Sequence, residues 1–228
     1  MEHYLNFSNT NIWSEIWPEL ALALAAIVLL GIDLFRKSDK PIVSIGSLAI
    51  VFQAGLLIFH LFDYLAWHHT FDRETFSGML HQGIQGDVMR TFFLLSSLLV
   101  SVLGHQYLKN KKLRAGEFHH LTMLATAGLM LLVQSNHFIM LFVALETVAV
   151  CFYTLVAYNR ESAKSLEAGI KYLIFGALSS SLLLFGIVLL YGVAGNPEAW
   201  GANYIGYEGQ DPLGFQYLGN LLEANPDH

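Results

Sequence analysis

Apolar residues in this chain come in long unbroken runs of about twenty, separated by short polar breaks. A run of that length matches the hydrocarbon thickness of a bilayer, and lipid leaves the backbone no partner but its own helix. Six runs predict six spanning helices, at residues 16–35, 42–62, 88–108, 118–135, 138–158 and 168–191. The fourth is the shortest, and Asn136-His137 breaks it from the fifth as a turn. Residues 63–86, rich in Gly, His and acids, read as a polar loop. The expected organisation is a membrane domain over residues 1–192 and a polar tail over 193–228. That tail is punctuated by Asn-Pro and Asp-Pro and holds a short amphipathic stretch at 213–222. The fold class is therefore all-α: a polytopic transmembrane helix bundle.

Composition agrees with that pattern. Hydrophobic residues make up 54% of the 228 and charged residues only 13%, against roughly 25% in a soluble domain. The net charge of −6 speaks against nucleic acid as a partner. The partner composition does specify is the lipid bilayer. A single cysteine, Cys151, excludes an intramolecular disulfide and reads as a small packing residue. The first apolar run is expected to be retained rather than cleaved, because no Lys or Arg precedes it and Arg36-Lys37 follow it.

Charge also orients the bundle. Of the twelve Lys and Arg, nine fall in the loops after helices one, three and five: Arg36, Lys37, Lys40, Lys109, Lys111, Lys112, Arg114, Arg160 and Lys164. The positive-inside rule makes those loops cytoplasmic and both termini extracytoplasmic.

Candidate chemistry lies in the few ionisable groups inside the runs. Glu146 is the sole carboxylate of the fifth run. Burying an acid at a helix centre costs about 2.5–3.5 kcal/mol, so such groups face a bundle interior or a wet cavity. Glu146 is thus a proton-holding acid or, more blandly, a hydrogen-bonding member of the bundle. Lys171 is the second candidate, a relay group or simply the partner of Glu167 four residues earlier. In a hairpin folded near residue 162, Lys171 sits seven residues, or roughly 10 Å, off the level of Glu146. No direct pair is expected. Glu19 and Asp33 lie near opposite ends of helix one and read as structural groups that can reach the interfaces. His60, His105, His119, His120 and His137 lie near helix ends without metal-ligand spacing. Gly169, Gly176, Ser180 and Gly186 predict close approach of helix six to its neighbours. No phosphate-binding loop, nucleotide fingerprint, nucleophile elbow or haem signature is present, so no cofactor site is expected on this chain.

Several segments resemble a known family. Gly116-Glu117-Phe118-His119 opens the fourth helix, and residues 141–195 read LFVALETVAVCFYTLVAYNRESAKSLEAGIKYLIFGALSSSLLLFGIVLLYGVAG. Leu145-Glu146, then Glu167 to Tyr172 and the Gly-Ala-Leu-Ser-Ser run, are similar to the antiporter-like proton-translocating subunits of NADH-quinone oxidoreductase (respiratory complex I), the subunit N branch in particular. Pro18-Glu19 and Asp33-Leu34-Phe35 fit the same pattern. The resemblance implies the N-terminal part of a subunit with about fourteen helices, in which Glu146 and Lys171 take part in proton translocation. In that family the glutamate pairs with a lysine of the seventh helix. It also implies a proton-translocating oxidoreductase whose NADH, FMN, iron-sulfur clusters and quinone sit on partner subunits. Implied partners are the other membrane subunits of the complex, with room for a second chain carrying the remaining helices. The implied location is an inner, energy-transducing membrane. A cation/proton antiporter or membrane-bound hydrogenase shares the module and is the alternative, and a structural subunit without a proton path is a further one.

Overall fold

A computed structural model describes residues 13–35, 43–66, 73–111, 116–196 and 211–224. A 3-10 turn, Trp13–Ile16, leads into α1, Trp17–Phe35, and then follow α2, Val43–Ala66, and the strands β1, Arg73–Thr75, and β2, Leu80–Gln82. The chain continues through α3, Ile84–Lys111; α4, Gly116–Gln134; α5, Phe138–Val156; and α6, Ala163–Ala194; it closes with α7, Phe215–Glu223. The bundle is built around α4, which packs against α1, α2, α3 and α5, while α6 packs on α5. The two ends of the bundle differ in charge. The basic end carries Lys109, Lys111, Arg160 and Lys164; the acidic end carries Glu15, Glu19, Asp87 and the hairpin.

Each expected apolar run is helical, with shifted bounds. The third helix starts at Ile84 rather than residue 88, because Asp87 supplies an acid to its first turn. The second runs on to Ala66, so Asp63 sits in its last turns rather than in a loop. The sixth covers 32 residues, Ala163–Ala194, or roughly 48 Å at 1.5 Å per residue. That exceeds a hydrocarbon core of roughly 30 Å, so α6 tilts or projects past the interface. Arg36, Lys37, Lys40, Lys112 and Arg114 lie outside the described residues, as do 197–210 and 225–228 of the expected tail. The amphipathic stretch of that tail is α7, seated by Tyr217 and Leu221 against Ala194.

Five of these helices are long and apolar enough to cross a membrane, and α4 is not among them. It carries Glu117, His119, His120 and Gln134. Its ends nonetheless match those of α1: Gly116 lies against Asp33, and the Gln134 amide donates to Glu19 at 2.6 Å. It therefore covers the same depth as α1, and it can be polar because its neighbours cover it. Eleven of its 19 residues are buried, against three of 32 in α6.

The expected loop at 63–86 contains an antiparallel hairpin, with Arg73 opposite Gln82 and Thr75 opposite Leu80. Its turn uses three left-handed residues, Phe76, Ser77 and Gly78, at φ of 53°, 57° and 83°. The hairpin is fastened to the α4–α5 turn: Asn136 donates from its backbone to the Met79 carbonyl at 2.8 Å and from its side chain to the Gly78 carbonyl at 3.1 Å.

Beneath the hairpin is a buried ion pair that sequence reading missed. Arg90 of α3 donates from Nε to Glu19 Oε1 at 2.7 Å, and Glu19 is buried rather than reaching an interface. The same guanidinium donates to Gln134 Oε1 at 2.6 Å, to the Glu15 carbonyl at 2.7 Å and to Asp87 Oδ1 at 3.0 Å. Gln82 of the hairpin donates to Gln134 Oε1 at 2.6 Å. Removing one partner of such a pair strands a charge in a dry interior, at about 3–5 kcal/mol. Arg90→Leu should therefore destabilise the bundle by about that amount, and Glu19→Leu with Arg90→Leu by clearly less. Thermal unfolding of the purified single and double variants checks this ordering.

Candidate functional site

Glu146 lies near the middle of α5, the helix begun by His137, whose Nδ1 accepts from the Ile139 amide at 3.2 Å. The imidazole Nε2 then faces Asp211 Oδ1 at 3.2 Å, which fastens the start of α5 to the segment before α7. On α4, Gly128 meets the Ala144 carbonyl, Thr147 and Val148, so α5 approaches closely at the depth of Glu146. A Cβ at Gly128 would lie 2.8 Å from Val148. The Glu146 carboxylate is half-buried, and its Oε1 is buried without a hydrogen-bond partner among the described residues. A carboxylate oxygen in that position gains from any hydrogen-bond donor that reaches it, since an unsatisfied buried acceptor loses its hydration for nothing.

Lys171 is elsewhere. It lies on the outer face of α6, paired with Glu167 Oε1 at 2.5 Å, and both side chains are about two-thirds exposed, at 65% and 64%. No ion pair joins it to Glu146 among the described residues. The contacts Gly169–Ala157 and Gly176–Tyr153 set the α5–α6 register. Carried along both helices, that register places residue 182 opposite Glu146, and Lys171 is eleven residues, or roughly 16 Å, away. The direct pair was not expected, and the separation is larger than the hairpin estimate gave.

The small residues of α6 divide. Gly169 and Gly176 admit Ala157 and Tyr153, and Ser180 returns its hydroxyl to the Gly176 carbonyl at 2.9 Å. Gly186 faces open space, so it does not serve the close approach expected of it within this chain. Cys151 is buried between helices as a packing residue. No group of three or more His, Cys, Asp or Glu is placed to hold a metal among the described residues.

At the basic end, Arg160 donates to Glu117 at 2.6 Å and ties the α5–α6 turn to the start of α4. A groove of about 410 Å³ opens beside it, lined by Ile27, Glu117, His120, Leu124, Thr154 and Arg160. Tyr158, just past α5, stacks edge-on against Phe118 at 6.0 Å. Its hydroxyl is pushed up to about 12, first by burial and then by the Glu117 carboxylate.

The comparisons with known proteins meet this geometry. Residues 135–203 match the family model described as NADH:quinone oxidoreductase/Mrp antiporter, TM. That segment holds all of α5 and α6, with Glu146 and Lys171 in it. NADH-quinone oxidoreductase subunit N 1 of Opitutus terrae is 45% identical over 232 residues, spanning 100% of this chain and 44% of the relative. Over its whole length the chain is similar to antiporter-like subunit N. Subunit N of Paramagnetospirillum magneticum is 33% identical over 93% of the chain and 39% of its own length. The chain thus spans under half the length of these curated relatives. A chain of respiratory complex I from Thermus thermophilus, solved with bound aureothin, superposes with a TM-score of 0.61 at 26% identity, covering 91% of this chain and 42% of that one. A chain of an archaeal membrane-bound sulfane sulfur reductase reaches a TM-score of 0.62 at 21% identity, which shows a shared fold.

One consequence of the basic-end geometry is measurable. With its folded pKa raised, Tyr158 contributes stability in full below the unfolded value of 10.0, and that contribution is lost as pH climbs from there to about 12. Melting temperature should fall more steeply with pH across that window in the wild type than in Tyr158→Phe.

Proposed function

We propose that this chain is a membrane-arm component of a proton-translocating NADH-quinone oxidoreductase, with Glu146 as a proton-holding acid. The observation that carries the reading is the buried, unpartnered carboxylate oxygen of Glu146 in a chain alignable from end to end with subunit N relatives. An acid stripped of fixed partners changes its proton affinity when a cation or water moves beside it, and that is what a translocation step needs. Lys171, exposed and held by Glu167, serves as a relay group or tuning charge on the outer face of α6 rather than as the partner of Glu146. The apolar outer face of α6 suits lipid or further helices, supplied by the same subunit or a second chain.

Redox chemistry belongs to partner subunits in this reading. NADH, FMN, iron-sulfur clusters and quinone are held there, and the other membrane subunits are the partners of this chain. It lies in the inner, energy-transducing membrane, with the basic end cytoplasmic and both termini outside. The matched family also includes Mrp antiporters, so a cation/proton antiporter is the second reading.

In complexes reconstituted into vesicles, Glu146→Gln should cut NADH-driven proton translocation at least several-fold at equal subunit content. Glu161→Gln, an exposed change in the α5–α6 turn, should leave it intact. Equal pumping by both variants removes Glu146 from the mechanism.

A further inference from the structure

Buried polar atoms between α2, α3 and α4 form a line that the Glu146 site does not use. One face of α3 carries Arg90, Leu94, Ser97, Ser101 and Leu108 as buried residues at three- and four-residue steps, with His105 half-buried beside them. At one end His60 of α2 lies 3.4 Å from the Asp87 carbonyl, and at the other Gly46 lies against His105. Those two contacts fix the α2–α3 register and bring Gln53 level with Ser97. His119 of α4 faces His105 with ring centroids 5.6 Å apart.

Apart from Arg90 and His60, the line is made of polar atoms that find no partner among the described residues. Both side-chain polar atoms of Gln53, the hydroxyls of Ser97 and Ser101, Nδ1 of His105 and both nitrogens of His119 are buried without a hydrogen-bond partner among the described residues. Gln53, Ser101 and His119 are each 0% exposed. The serines are the telling case, because a helical hydroxyl can always donate to the carbonyl four residues back. Thr91, Thr122, Thr126, Thr147, Thr154, Ser180 and Ser181 all do so. Ser97 and Ser101 do not, and their hydroxyls are left free for a partner between the helices. Buried polar groups in native proteins are paired with protein or with ordered water. The free positions here run in sequence, a helical turn apart, from a half-buried histidine to the middle of the bundle.

We propose that α2, α3 and α4 enclose a file of ordered water, entered from the basic end through His105 and His119 and ending at Gln53 and Ser97. Gly46 brings the α2 backbone directly against the two rings at the entrance. A Cβ there would fall 2.5 Å from His105 Nδ1 and 2.8 Å from His119 Nε2, so any side chain at 46 would collide with both rings. The inner end is closed by Leu56, Leu57, Leu94 and Met130, which separate Ser97 from the Arg90–Glu19 pair by two helical turns of apolar side chains. Imidazole can take a proton on one nitrogen and release one from the other, so water and the two histidines together pass protons as well as water. The charged and titratable groups around the entrance are Asp33 of α1, 4.0 Å from His120, and Glu117 with Arg160.

The depth of the file matters for function. Arg90–Gln134 and His105–His119 set the α3–α4 register and place Ser97 level with residue 127. Gly128 in turn lies level with Glu146. The blind end of the file and Glu146 therefore share one depth, on two sides of α4. The use of the file in translocation rests on the function proposed above; its hydration does not.

X-ray radiolytic labelling of the intact complex tests the hydration, since bound water itself generates the hydroxyl radicals. His119 should be labelled several-fold faster than Met130, which is as deeply buried and more easily oxidised. In the Gln53→Met variant the thioether should oxidise several-fold faster than in Leu94→Met, which lies in the apolar plug. A silent His119, or equal rates at 53 and 94, overturns the file. His119→Phe should lower proton translocation several-fold at equal complex content, and full pumping by that variant overturns the proton role. Labelling needs no turnover. A wet file with a normally pumping Glu146→Gln would thus sink the Glu146 reading alone, and a dry file with an inactive Glu146→Gln would sink this one alone.

Discussion

A helix that carries Glu117, His119, His120 and Gln134 can occupy a bilayer only if other helices remove it from lipid. That requirement on α4 organises the rest of the chain. α1, α2, α3 and α5 surround it, and their own outward faces are left apolar for lipid. The polar content of the bundle is concentrated along this central helix, where side chains on neighbouring helices can meet it. At its acidic end it meets Glu19 and Arg90, along its side the histidines, and at mid-depth the close approach of α5 that places Glu146.

The two ends of α4 are treated differently. At the acidic end Arg90 is saturated, shared among Glu19, Gln134, Asp87 and the Glu15 carbonyl, and the hairpin closes over them. A saturated network of this kind fixes helix positions and holds no protons loosely. Toward the basic end and at mid-depth several buried polar groups are instead without a partner among the described residues, as with His119, Ser101, Gln53 and Glu146. The Arg90 network is a fastening, and the groups without partners are where the proposed water file and proton site lie.

Much of this was readable from the chain. The helices and the polar break at Asn136-His137 follow from hydropathy, because lipid enforces it along every turn. Glu146 stood out as the lone acid of an apolar run, and one-dimensional geometry was enough to separate it from Lys171. What escaped was pairing across long separations. Arg90 and Glu19 are 71 residues apart, and nothing local links them. A signal did exist: Arg90 falls at three- and four-residue steps with Leu94, Ser97 and Ser101, on a single helix face that buries them all. The hairpin was missed because its strands are three residues each and draw their order from the α4–α5 turn rather than from their own side chains. The satisfied or unsatisfied state of a buried serine is a property of packing, and no pattern of residue types reveals it.

The central claim is that this chain works within a redox-driven proton pump. The most direct measurement is mild purification of the tagged chain from its native membrane, followed by assay of the eluate for NADH-driven quinone reduction. NADH-driven quinone reduction is expected to co-elute with the chain, together with other membrane subunits. A well-folded chain that elutes without NADH-driven quinone reduction, alone or with antiporter subunits only, would contradict it.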